Sequence, residues 1–216
     1  MRKYLKAELI LFDLDGTLIN TMEGFADLAA SIIEREYKVP FVTGRRNYIT
    51  TSGIPFKHQL EVMFPNNPLN FQAQKEFESR KQDVFFKTPP DEDTVAALKK
   101  LKEIGIKVVV SSNNYHEFVE KYFSLHKEVS FDLILGYKEN FAKGKDHILH
   151  VINKFGISKE KMIFVGDSIH DGEVAQALDI PFIGRVAIRT EEEFLSEFPD
   201  ILCVSKLSQI LNIFNR

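Results

Sequence analysis

Short apolar runs separated by amphipathic stretches dominate the chain. Leu9-Ile10-Leu11-Phe12 places four apolar residues in succession, closed by Asp13. A continuous run of that length reads as a strand buried on both faces, as in a parallel sheet. The pattern recurs at 106–110 before Ser111-Ser112, at 131–135 before Gly136, and at 162–165 before Gly166-Asp167. It appears again at 180–183 before Gly184 and at 201–204 before Ser205. Six such runs argue against a helical bundle.

Helical periodicity fills the gaps. Val95, Leu98, Leu101 and Ile104 share one face over 94–104, with Gly105 placed as the stop. Ile148, Leu149, Val151, Ile152 and Phe155 form the inner face of another helix, closed by Gly156. Thr190 and Glu193 fit a capping box, and Ser205 is placed to cap a final helix through Ile213. Strand and helix alternate from about residue 90. This predicts an α/β fold: a doubly wound, Rossmann-like, mostly parallel sheet with right-handed crossovers.

Residues 18–88 break the alternation. Met22, Phe25, Leu28, Ala29, Ile32 and Ile33 have helical spacing, and 57–64 and 71–86 also read as helices. Pro65-Asn66-Asn67-Pro68 separates two of them, and Pro89-Pro90 marks the return to alternation. The expected organisation is an α/β domain of 1–17 and 89–216, with a small helical domain, 18–88, inserted after the first strand.

Composition narrows the function classes. The chain has 216 residues, 44% hydrophobic and 27% charged, the mix of an ordinary globular domain rather than a disordered one. Lys+Arg is 28 against Asp+Glu 31, so no basic excess points to nucleic acid. The single cysteine, Cys203, makes neither an internal disulfide nor a cysteine-based zinc site, and reads as a core residue in a reducing compartment. The basic start, MRKYLK, is followed by an apolar stretch too short for a signal peptide. No run approaches the roughly 18 residues of a membrane span. The expectation is a cytoplasmic protein with no nucleic-acid or membrane partner.

In open α/β sheets ligands bind beyond the carboxyl ends of the strands. The residues expected there are Asp13, Asp15 and Thr17 after the first strand and Ser111, Ser112 and Asn113 after the second. Asp167 follows the fourth, with Asp171 four residues on; Lys143 and Lys145 precede the helix that leads into it. Several carboxylates cannot sit together ionised without compensation. A hard divalent cation with oxygen ligands, such as Mg²⁺, and a lysine would supply it. Each residue also has a plainer reading: Asp15-Gly16 as a turn, one serine as a helix cap, Asp171 as a first-turn acid, either lysine as a surface residue. His147 and His150, at i and i+3, read as surface residues for want of a third ligand. Arg45-Arg46-Asn47 reads as a solvated loop or as a contact for a second substrate anion.

Together these residues resemble the haloacid dehalogenase-like hydrolase superfamily. Asp13-Leu14-Asp15-Gly16-Thr17 matches its DxDGT motif, Ser111 the hydroxyl of the second, Lys143 (or Lys145) the lysine of the third, and Gly166-Asp167-Ser168-x-x-Asp171 the GDSxxD fourth. The resemblance covers about 7–20 and 88–216, and the insertion stands where the family carries a helical cap. It implies a Mg²⁺-dependent phosphatase acting on a small phosphorylated metabolite. Asp13 would be the nucleophile and Asp15 the acid and base. Asp13, Asp167 and Asp15, the last through its backbone carbonyl, would hold the metal. Thr17, Ser111, Ser112, Asn113 and the lysine would bind phosphate, and Asp171 would hold the lysine. The cap would close over the site, with hinges near 17–21 and 86–90, and disfavour phosphoproteins. A phosphomutase of the same superfamily and a non-catalytic module of the same fold are the alternatives; intact Asp13, Asp15, Lys143 and Asp167 argue against the module.

Overall fold

A computed structural model describes residues 4–214. Six strands form one parallel sheet among them: β1 (Leu9–Phe12), β2 (Lys107–Tyr115), β3 (Leu133–Tyr137), β4 (Met162–Gly166), β5 (Phe182–Arg185) and β6 (Leu202–Val204). Their order is β3-β2-β1-β4-β5-β6. The order reverses at β1, so the crevice of a doubly wound sheet opens beside that strand. Phe12 stands level with Val110 of β2 and Val165 of β4. The next residues, Asp13, Ser111 and Gly166, therefore meet at the carboxyl edge.

The helices are α1 (Met22–Tyr37), α2 (Phe41–Thr50), α3 (Phe56–Met63), α4 (Asn70–Lys87), α5 (Glu92–Glu103), α6 (His116–Leu125), α7 (Lys145–Phe155), α8 (Ile169–Ala177) and α9 (Glu191–Glu197). Leu9, Leu11, Val109, Leu135 and Phe164 pack against Ile148 and Val151 of α7 and Ala175 of α8 to form the main core of the α/β part. The Thr190 capping box is present on α9, and Gly156 ends α7 in a left-handed conformation.

Several edges differ from the sequence expectation. β2 runs five residues beyond Val110, because Ser and Asn keep an extended backbone although they end the apolar signal. β5 begins at Phe182 rather than 180, since the Ile180 N–H is used by the Ala175 carbonyl at the end of α8. The last helical segment, Leu207–Ile213, is a 3₁₀ helix, and Ser205 does not cap it. The Gln209 side chain accepts the N–H groups of Ser205 and Lys206 instead. Segment 41–50 is helical although only Gly44 and Tyr48 are buried in it, too few apolar positions to show a period.

The chain divides into two compact units, Met1–Asn20 with Pro89–Arg216, and Thr21–Thr88. The second has its own core, in which Phe56 and Phe77 lie 4.2 Å apart and Tyr48 and Phe25 pack against Phe77. Arg45 lies on α2 and pairs with Glu23 and Asp27 of α1, so it is neither a loop residue nor an uncommitted cation.

Candidate active site

The turn after β1 is built by Leu14, whose carbonyl accepts the N–H groups of Thr17, Leu18 and Ile19. That turn leaves Asp13 at the strand end, with Asp15 two residues on bridging to Ile19. Asp13 is buried, and its N–H is fixed by the Val165 carbonyl. Its two oxygens have different partners: Lys143 Nζ at 2.6 Å from Oδ1 and the Thr17 hydroxyl at 3.4 Å from Oδ2. Lys143 also reaches Asp171 Oδ1 at 2.7 Å, with 8% of its side chain exposed. Lys145 is exposed as the first residue of α7, so of the two lysines Lys143 is the one at the carboxylates.

After β4, Ser168 caps α8 by accepting the Asp171 N–H, while its hydroxyl donates to Asp171 Oδ2 at 2.7 Å. Asp171 is thus both a first-turn acid and the lysine's second partner. A Cβ on Gly166 would lie 2.5 Å from Asp171 Oδ2, so glycine there is a steric requirement. Oxygens of Asp13, Asp167 and Asp171 lie within 4.8 Å of one another. The Asp15 side chain does not belong to that group; its Oδ2 accepts from Asn114 Nδ2 at 2.6 Å.

Three buried carboxylates share one buried ammonium. Burial raises the Asp13 pKa to about 7, Lys143 opposes the rise, and Asp171 adds to it. Burial, then Asp13 and Asp171, push Asp167 well above the usual carboxylate range. Burial works against the charge on Lys143, but Asp13 and Asp171 outweigh it and hold its pKa above the lysine range. Asp167 Oδ2 is buried without a hydrogen-bond partner. An excess of buried negative charge with an unpartnered oxygen fits a hard divalent cation.

The three polar residues of the second strand stand in different settings. Ser111 is fully buried and its hydroxyl lies 2.8 Å from His147 Nδ1. Ser112, one residue on, accepts the Asn114 N–H at 3.1 Å, and Asn113 is exposed. Of the two serines, Ser111 is the one engaged with a helix side chain. His147 is buried rather than on the surface, because the inner face of α7 is His147, Ile148 and Val151; His150 is exposed. Burial pushes the His147 pKa down to about 4, so its ring is neutral at neutral pH. Asn114 and His147 are the site neighbours that sequence patterning missed. A polar residue beyond an apolar run and a histidine beside Ile148 carry no periodic signal that separates them from surface positions.

The chain matches the Haloacid dehalogenase-like hydrolase family over residues 10–185. It is 27% identical to pyrophosphatase PpaX of Halalkalibacterium halodurans, over 94% of this chain and 95% of that protein. It is also 27% identical to phosphoglycolate phosphatase of Psychrobacter arcticus, over 82% of each. The solved structure of a haloacid dehalogenase-like family hydrolase from Streptococcus pneumoniae superposes with a TM-score of 0.79 at 18% identity, covering 96% of this chain and 98% of that one. That likeness shows the shared fold.

Proposed function

The chain belongs to the haloacid dehalogenase-like hydrolase family, and from that premise we propose that it is a Mg²⁺-dependent phosphatase of a small phosphate ester, working through an aspartyl-phosphate on Asp13. The observation that carries this reading is the buried Lys143 ammonium bridging Asp13 and Asp171 beside the unpartnered oxygen of Asp167. A surface cluster would have no reason to bury that many charges. The names of the two relatives, a pyrophosphatase and a phosphoglycolate phosphatase, support a small phosphorylated anion as substrate.

In this reading Asp13 attacks phosphorus through one carboxylate oxygen, and the bond to the leaving oxygen breaks. Lys143 holds the other oxygen and offsets charge as the anionic substrate approaches. Asp15 gives its proton to the leaving oxygen, then takes one from the water that cleaves the acyl phosphate. Inorganic phosphate leaves, and both aspartates return to their starting states. Ser112, with Thr17 and Asn113, is assigned to the phosphoryl oxygens; the Ser111 hydroxyl is engaged with His147 Nδ1. Asp13 and Asp167 would hold Mg²⁺, which when bound neutralises charge on the phosphoryl group and favours ionised Asp13.

The test is phosphate release from a panel of small alkyl and aryl phosphates, with Mg²⁺ and with chelator, wild type beside Asp13→Asn. Mg²⁺-dependent release that the substitution abolishes is the expected result. Release that persists in Asp13→Asn would overturn the assignment.

A further inference from the structure

Asn114 lies where β2 leaves its regular ladder. β2 and β3 pair in step through Ser111 and Leu135, and pairing resumes only at Tyr115 and Tyr137. Over that interval β2 advances four residues and β3 two, so β2 bulges. The Ser112 hydroxyl accepts the Asn114 N–H and tightens the bulge. Gly136 of β3 lies against it. A Cβ there would stand 2.6 Å from His116 Cα and 2.8 Å from the Asn114 carbonyl oxygen, both backbone atoms with little room to yield. The Gly136 N–H donates to His116 Nδ1 at 3.3 Å, which ties the far end of the bulge to β3. The outcome is a buried Asn114 whose amide donates to Asp15 Oδ2 at 2.6 Å.

We propose that Asn114 is a positioning residue for Asp15 and that Gly136 is the steric condition for it. The inference rests on Asp15 being the acid and base of the phosphatase reading. Of the two oxygens in a protonated carboxyl, the carbonyl oxygen is the better acceptor. Amide donation to Oδ2 therefore assigns the transferable proton to Oδ1 and fixes the plane in which that proton is offered. In phosphoryl transfer the proton moves from Oδ1 to the bridging ester oxygen as its bond to phosphorus breaks, leaving Asp15 as carboxylate. Water returns a proton to it in the second step.

The consequence is selectivity by leaving group. An alkyl alkoxide needs the proton to depart; a nitrophenolate departs without much help. The experiment measures kcat/KM, which reports the steps up to leaving-group departure, in wild type, Asn114→Ala, Asn114→Leu and Gly136→Ala. The probes are p-nitrophenyl phosphate and an alkyl phosphate, either 2-phosphoglycolate or the fastest alkyl ester of the panel. General acid catalysis contributes on the order of 10²–10⁴-fold, so losing its alignment should lower the alkyl rate roughly 10- to 100-fold. The aryl rate should stay within about threefold, which also shows that the rest of the site is folded. Asn114→Leu keeps the size and removes the donor without adding a charge, so it should behave as Asn114→Ala; Gly136→Ala should show the same skew. An equal fall on both esters, or an Asn114→Leu enzyme with the wild-type ratio, would overturn the proposal. The two readings separate cleanly: wild-type turnover abolished by Asp13→Asn belongs to the phosphatase, and the alkyl-to-aryl ratio belongs to Asn114.

Discussion

His147 shows what one buried side chain adds to the site. Its Nδ1 meets the Ser111 hydroxyl, on the strand beside Asp13, and its ring lies 4.6 Å from Phe141. A charged ring there would add a second cation near Lys143 in an apolar setting, and burial holds the pKa at about 4 against an ordinary value of 6.5. The unfolded chain therefore binds a proton between pH 6.5 and 4 that the folded chain does not. Stability from this group is complete above pH 6.5 and is lost as pH falls through that window, by up to about 3 kcal/mol. Denaturant titrations of wild type and His147→Asn at several pH values read this directly. The variant should be less stable at pH 7 and should lose less on acidification; an unchanged pH slope would remove His147 from the account. Cys203 has no comparable role, since burial raises its thiol pKa to about 11 and leaves it protonated at neutral pH.

At the scale of elements, apolar patterning located all six strands, because a strand buried on both faces must be apolar throughout. It failed where polar residues carry on an extended backbone, as in 111–115 of β2, and where a helix buries little, as in α2. The DxDGT and GDSxxD positions were legible because their chemistry is concentrated in adjacent residues. Asn114 reaches Asp15 only through a bulge, which one chain's sequence does not announce. The junction of β4 and α8 makes its own prediction. Gly166→Ala would force the Asp171 carboxylate out of its place beside Lys143 while leaving the strand's apolar residues untouched. The expected outcome is at least a tenfold loss of kcat, since misplacement by about 1 Å costs on the order of 100-fold in aligned sites. Wild-type kcat in that variant would show that the Asp171–Lys143 contact does not matter to turnover.

The whole molecule is an α/β unit and a helical unit, each with its own core, and no helix among the described residues is long and apolar enough to cross a membrane. Under the proposed function a cation would sit at the buried carboxylates. A ligand that binds only the folded state stabilises it by RT ln(1 + [L]/Kd), about 2.7 kcal/mol at a hundredfold excess over Kd. Mg²⁺ should therefore raise the Tm of the wild type, and Asp167→Asn, which removes the carboxylate whose Oδ2 has no hydrogen-bond partner, should abolish most of that rise. An equal Mg²⁺ effect in both proteins would place the cation elsewhere. Binding of the ion is a separate matter from what the site then does.

The central claim is that Asp13 takes the phosphoryl group. Rapid acid quench during turnover, followed by peptide mass spectrometry, measures this without knowledge of the natural substrate. A phosphorylated peptide carrying Asp13 is expected in wild type supplied with Mg²⁺ and its best ester, and none in Asp13→Asn. Turnover with the phosphoryl group on another residue, or undiminished turnover in Asp13→Asn, would contradict it.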